Sequence, residues 1–334
     1  MKKTILVLSL LFSLLGILRS FFFVFYNFED VTEFLNFIIF SIQPYGFAGM
    51  DIYVPRYLIN GNAEGGTISM GLINFSLFLT FFSGTIIYYF SKYKETKLLA
   101  FNYSLVFLDS IIKVCYFIVL FKIDKLRIYD ILYIIITLLY IFISYYFITK
   151  ELSPNTNENN NQITEKNLEN ASNSKRFLNL LIDSFIVIVI AFGFFSYAER
   201  NEQLTSTFGY FKMTFGDNFA VLIFFSTIKF IYYLVSESIF KSTPAKFITA
   251  CYVTDEEGNS PKFSMVLKRT LLRFVPFESF SFLLGKNLHD DYSDTYVVNK
   301  KTDRKIEDRY TLFLVVAAGI LLVIYFYMSN RHSY

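Results

Sequence analysis

Tryptophan is absent from this 334-residue chain, and cysteine and histidine number only two each. These absences remove several classes of function. Without tryptophan, an aromatic belt at a membrane interface falls to tyrosine, of which there are 25. Cys115 lies in a hydrophobic run and Cys251 in a polar one, so neither a disulfide framework nor a thiolate metal cluster is supported. Two histidines, His289 and His332, are too few for a metal site built from several imidazoles. No glycine-rich phosphate loop occurs, which leaves nucleotide-driven pumping without support. No Gly-x-Ser-x-Gly or comparable cysteine context supplies a nucleophile, so the chain is not expected to be an enzyme, and no cofactor is expected. A net charge of only +3 argues against a nucleic-acid partner.

What is abundant is apolar. Hydrophobic residues make up 54% of the chain and aromatics 20%, with 42 phenylalanines and a mean hydropathy of +0.43. That balance belongs to a membrane protein. A span needs about 20 mostly apolar residues. Seven runs qualify, near 4–26, 68–90, 98–121, 131–148, 177–198, 219–240 and 310–328. The fold class expected is therefore an all-α, multi-pass transmembrane helical bundle of about seven spans. The first run follows a basic start, Lys2 and Lys3, but no small-x-small cleavage site follows it. It reads as an uncleaved span, with a cleaved signal as the alternative. Arg19 interrupts this run, and either snorkels outward or faces the bundle.

Between the first two runs, residues 27–67 carry Asn27, Glu29, Asp30, Pro44 and Pro55, and 31–42 read as an amphipathic surface helix. Residues 153–175 are Asn-rich and almost free of apolar side chains, so they read as a disordered linker. The expected division is a four-span region 1–152, the linker 153–175, a membrane module 176–300, and a last span and tail 301–334. No repeat relates the two halves. Lys2, Lys3, Lys92, Lys94, Lys97 and the basic stretch 241–309 fall on one side if seven spans alternate, and that side is expected to be cytoplasmic. Lys122, Lys125 and Arg127 dissent. This places the N-terminus and linker on the cytoplasmic side of a cell (inner or plasma) membrane.

After the sixth run, residues 246–253 alternate and are followed by the turn sequence 255–261, which predicts a small cytoplasmic β-hairpin. Residues 263–274 set Lys268, Arg269 and Arg273 among apolar side chains, as expected of a basic amphipathic helix on an anionic membrane surface. Residues 274–284 are too short to span and read as an interfacial or re-entrant piece.

At these residues the chain resembles a known family. Arg176 and Asp183 in RFLNLLID, Glu237 near the end of the next span, Lys246 ahead of the turn VTDEEG, the segment KRTLLRFVPFESFSF, and His289, Asp290, Thr295, Val297 and Val298 in the closing HDDYSDTYVV are similar to the RDD family over about 174–300. Its members are bacterial multi-pass membrane proteins named for one arginine and two aspartates. The resemblance implies a membrane protein with a transport-related role and names no substrate. The chain departs from the pattern at Pro244 and Ala245, where the family has a glycine before the lysine, and in a shortened third hydrophobic segment.

The ionisable residues carry the functional question, because a carboxylate in the hydrocarbon costs roughly 2.5–3.5 kcal/mol unless paired or wetted. Arg176 stands seven residues before Asp183, and Lys229 eight before Glu237, each pair on one helical face. They read either as static ion pairs that orient helices or as a protonatable, cation-binding set. Asp109 and Lys113 are four apart, as a structural pair or as part of a polar path with Arg19. His289 with Asp290 reads as packing against the basic helix, with Asp290 bonding Arg269 or Arg273. Two functions follow. The first is a membrane scaffold or assembly partner that meets lipid, anionic headgroups included, another membrane protein or a second copy of itself. The second is a secondary transporter or cation/proton exchanger that uses Asp183 and Glu237, with Arg176, Lys229, His289 and Asp290 along its path.

Overall fold

The computed structural model describes residues 1–25, 44–45, 52–54, 66–68, 70–120, 128–152, 169–199, 202–275 and 288–299. It is mostly helical. Six helices are long and apolar enough to cross a membrane, with windows at Lys2–Ser20, Ile73–Phe90, Lys97–Cys115, Ile128–Leu152, Asn173–Phe194 and Asp217–Phe240. They match the first six expected spans. The seventh, 310–328, the surface helix at 31–42 and the piece at 276–284 lie outside the described residues. Residues Met1–Asn299 form one compact unit.

Helices α1 (Lys2–Phe25), α2 (Met70–Phe90), α3 (Lys97–Leu120) and α4 (Ile128–Phe147) make up the N-terminal bundle, and α4 runs into a π-helical turn at Ile148–Leu152. The centre is α3, which is buried on every side from Lys97 to Ser110. It touches α2, α4 and two elements of the C-terminal half. In α4 the buried residues are Thr137, Tyr140, Ser144 and Phe147, while Leu138, Leu139 and Phe142 are exposed. Small and polar groups face in and large apolar ones face out, as lipid solvent requires. Asn102 shows the same logic inside α3. Its Oδ1 accepts from Tyr45 Oη (3.0 Å) and Thr80 Oγ1 (3.3 Å), and its Nδ2 donates to the Leu98 carbonyl (2.7 Å). Asp109 meets Lys113 at 2.7 Å, one turn on, and interacts electrostatically with Arg19, whose Nε is out of contact with solvent. Arg19 therefore turns into the bundle.

The C-terminal half begins with α5 (Asn173–Glu199), α6 (Glu202–Phe215) and α7 (Asp217–Phe240), the last two joined at Gly216, whose φ of 81° suits glycine. The short α8 (Pro244–Ile248), α9 (Phe263–Leu272) and α10 (Leu288–Asp291) follow. Phe107 of α3 meets Phe240 of α7 edge to face at 4.8 Å, and α8 packs on α3, so the two halves share a core.

A short antiparallel pair, β1 (Ile52–Val54) and β2 (Gly66–Ile68), lies in the 27–67 segment, where no strand was expected. The expected hairpin is corrected in its partner. Residues 246–248 are helical, and β3 (Cys251–Asp255) pairs antiparallel with the distant β4 (Thr295–Asn299), Cys251 opposite Asn299. The turn itself is present: Asp255 Oδ1 accepts from the amides of Glu257 and Asn259, with Gly258 at φ 80°. It leads to α9 instead of back along β3. The end of the expected linker joins this sheet. The Ala171 amide donates to the Val297 carbonyl (2.9 Å) and the Asn299 amide to the Glu169 carbonyl (2.8 Å). Residues 153–168 lie outside the described residues.

Close helix approach rests on glycine at Gly16, where an added Cβ would fall 2.1 Å from the Phe78 ring of α2. Phe78 is fully buried and stacked on Tyr45 at 4.5 Å, so it has nowhere to go. Gly16→Ala is expected to destabilise the bundle by about 1–3 kcal/mol. Gly209→Ala in α6, with no atom within 4 Å of the new Cβ, is expected to be neutral or stabilising by up to about 1 kcal/mol. Thermal unfolding of the purified protein in detergent measures both.

Candidate functional site

Most of the buried ionisable residues of the C-terminal half collect at one end of α5 and α7. Arg176 stands in the first turn of α5 and Glu237 in the last turn of α7, so the two antiparallel helices bring opposite charges to the same end. The pairing differs from that expected. Arg176 Nη1 donates to Asp290 Oδ2 at 2.5 Å, and its Nε donates to the Ala171 carbonyl at 3.1 Å. It does not pair with Asp183, and the reason is reach: seven residues of helix separate the two by about 10 Å. Lys229 fails to meet Glu237 for the same reason. Its amine lies 5.5 Å from the Phe274 ring centroid.

Arg269 and Arg273 correct a second expectation. Arg269 lies in α9 and Arg273 caps its C-terminus, but they do not face lipid: Arg269 is completely buried and the Arg273 side chain is 9% exposed. Lys268, between them, is exposed. Arg269 Nη1 donates to Asp290 Oδ1 and, at 2.9 Å, to Thr295 Oγ1, while its Nε lies 3.3 Å from Glu237 Oε2. Arg273 Nη2 donates to Glu237 Oε1 at 2.7 Å, and Lys246 Nζ donates to the same oxygen. The guanidinium of Arg273 also lies over Tyr233, 3.8 Å from the ring centroid. The result is a continuous run of alternating charge: Arg176, Asp290, Arg269, Glu237, then Lys246 and Arg273. It joins α5, α10, α9, α7 and α8. Because Arg269 sits at Glu237 while Phe274 sits at Lys229 and Phe230, α9 descends beside α7 over about 11 Å. It does not lie across the end of the bundle as a surface helix would. The backbone of His289 lies in α10; its side chain is outside the described residues.

Asp183 is held differently. Its Oδ1 accepts from Tyr232 Oη (2.6 Å) and from the Ala245 amide (3.3 Å), and its Oδ2 accepts from Thr243 Oγ1 (2.8 Å). Thr243 is the N-cap of α8 and Pro244 its first residue, a standard helix start, so Asp183 secures this short helix against the middle of a span. Asn179, one turn earlier, accepts from Thr249 Oγ1 at 2.7 Å. Arg176, Asn179 and Asp183 thus form one polar stripe on α5, the last two bonded to α8 and its caps and the first to Asp290 of α10. Asn179, Tyr232, Thr243 and Thr249 were not foreseen. Asn179 was signalled by its spacing from Arg176 and Asp183, and Thr243 by the proline after it.

A buried network of five helices closed at one end by shared charges defines a helical membrane domain whose ionisable groups are internal. The RDD family model matches residues 170–333, so this C-terminal half is an RDD family domain, as the resemblance indicated. The match opens at Asn170, where the chain joins β4, and covers every member of the charge run. The protein is an integral membrane protein. Neither a curated protein nor a solved structure matches the chain.

Two outcomes follow from the pairing. Asp290→Asn leaves two buried arginines short of their counter-charge and is expected to cost about 3–5 kcal/mol in thermal or denaturant unfolding. Lys246 is buried, which pushes its pKa down from 10.5 to about 8 although Glu237 pulls the other way. Between those two values the unfolded chain holds a proton that the folded protein has released. Stability is therefore expected to rise from pH 8 toward pH 10, with the full penalty present below pH 8. Lys246→Met flattens that rise, as melting temperature against pH reads out.

Proposed function

We propose that the protein is a membrane scaffold of the cell membrane, an assembly or lipid-contacting partner in which buried charge fixes helices and does not carry ions. One observation carries this reading: Arg176, Asp290, Arg269, Glu237, Lys246 and Arg273 are joined to one another in a single buried run that ties five helices together. Such a run is costly to break, since removing one member strands a buried charge. The apolar faces that remain exposed on α4, α5 and α7 suit lipid or another membrane protein. The lysine and arginine distribution supports an arrangement with the charged end, the N-terminus and the linker on the cytoplasmic side.

A second reading, cation or proton exchange, draws on Asp183. It accepts hydrogen bonds from two hydroxyls and an amide, a setting in which a carboxylate can gain and lose a proton or hold a cation. Reconstituted vesicles separate the two. With internal pH followed under imposed sodium or potassium gradients, the scaffold predicts that the wild type and Asp183→Asn both match protein-free vesicles. Wild-type flux that disappears in a correctly folded Asp183→Asn protein would replace the scaffold with the exchanger.

A further inference from the structure

We propose that the interface between α7 and α9 holds a phosphate-type oxyanion on Arg273, supplied either by an anionic lipid headgroup or by free phosphate. The site goes beyond the scaffold reading and does not depend on it, since an exchanger would hold the same ion.

The first support is geometric. Arg273 commits Nη2 to Glu237 and one face of its guanidinium to Tyr233. Its Nη1 has no hydrogen-bond partner and no contact with solvent. A buried donor left unmade costs about 1–3 kcal/mol, more when charged. The planar fork of arginine, with one arm occupied, presents the other to an acceptor, and phosphate oxygens are the acceptors that such a fork fits best.

The second support is charge. Among the described residues the cluster sets Arg176, Lys246, Arg269 and Arg273 against Asp183, Glu237 and Asp290, four cations to three carboxylates. Glu237 alone is shared by three of the cations. Excess positive charge away from water calls for an anion, and the oxyanion would offset it where Glu237 is most divided.

The third support is location. Leu271, Phe274 and Val275, around Arg273 in sequence, are exposed apolar side chains, and the amine of Lys229 lies over the Phe274 ring. Hydrocarbon and positive charge thus meet at the C-terminal end of α9 and the turn after it, the pairing that a phospholipid presents in reverse. Exposed Lys268 on the same helix is separate from this arrangement and serves as a control.

The test uses the full-length protein in neutral detergent with inorganic phosphate against chloride at matched ionic strength, and in nanodiscs of phosphatidylcholine with and without phosphatidylglycerol. Melting temperature and hydrogen exchange of residues 263–275 are read in each. The expected result is a saturable rise in melting temperature with added protection of 263–275. A response to phosphate in detergent identifies a free ion as the source, and a response only to phosphatidylglycerol identifies the headgroup. Arg273→Lys keeps the charge beside Glu237 but loses the fork, and is expected to raise the half-saturating concentration at least tenfold, while Lys268→Gln leaves it unchanged. The proposal is overturned if neither source gives a saturable response, if Arg273→Lys responds like the wild type, or if Lys268→Gln weakens binding as much. Should Arg273→Lys not fold, wild-type protection decides: at 263–275 it supports the site, and confined to other segments it overturns it.

Discussion

The C-terminal domain depends on one carboxylate held between two arginines. Asp290 takes Arg176 on one oxygen and Arg269 on the other, and so ties α5 to α9. Arg176 fixes the entry of α5 and reaches the sheet through the Ala171 carbonyl. Arg269 carries the connection on to Glu237 and so to α7 and α8. Without Asp290 the arginines would repel one another in a space that excludes water, and α9 would keep its ion pairs to Glu237 on α7 but lose the link through Asp290 to Arg176. The same constraint bears on β4, because the Thr295 hydroxyl oxygen accepts a further hydrogen bond from Arg269 while its strand pairs with β3.

The lipid-facing side is the complement of this arrangement. Large apolar side chains such as Leu138, Phe142, Leu181 and Leu222 are exposed, while Ser9, Tyr103, Thr137, Ser144, Tyr232 and Thr243 are buried. In lipid, apolar contact does little to hold helices together, so close approach and polar links must do so. The N-terminal bundle uses Gly16, Asn102, and the attraction between Asp109 of α3 and Arg19 of α1. The RDD domain uses the charge run and the Asp183 cap. The two meet through aromatic contacts at Phe240, which touches Phe107, Tyr145 and Phe247.

The spans were legible because twenty apolar residues in a row leave few other readings. Asp109 with Lys113 was legible too, since a four-residue spacing puts both ends within reach on one helix. The pairing of Arg176 was not. A shared face suggested Asp183, but two turns of helix are longer than an arginine, and the actual partner lies 114 residues away. Contacts of that separation leave no mark in the local pattern. The basic helix misled for a related reason. Lys268, Arg269 and Arg273 look alike in sequence, yet only position on the helix decides that the first faces out and the other two face Glu237. Likewise β3 announced itself as a strand with a turn after it, but its partner is 40 residues on, beyond what the turn could reveal.

The central claim is that Arg176 answers to Asp290 and not to Asp183. Double-mutant cycles in unfolding free energy test it, with Arg176→Gln combined in turn with Asp290→Asn and Asp183→Asn. A coupling of about 2 kcal/mol or more between Arg176 and Asp290 is expected, with near-additivity between Arg176 and Asp183, which share no partner. Strong coupling to Asp183 with additivity at Asp290 would contradict the account.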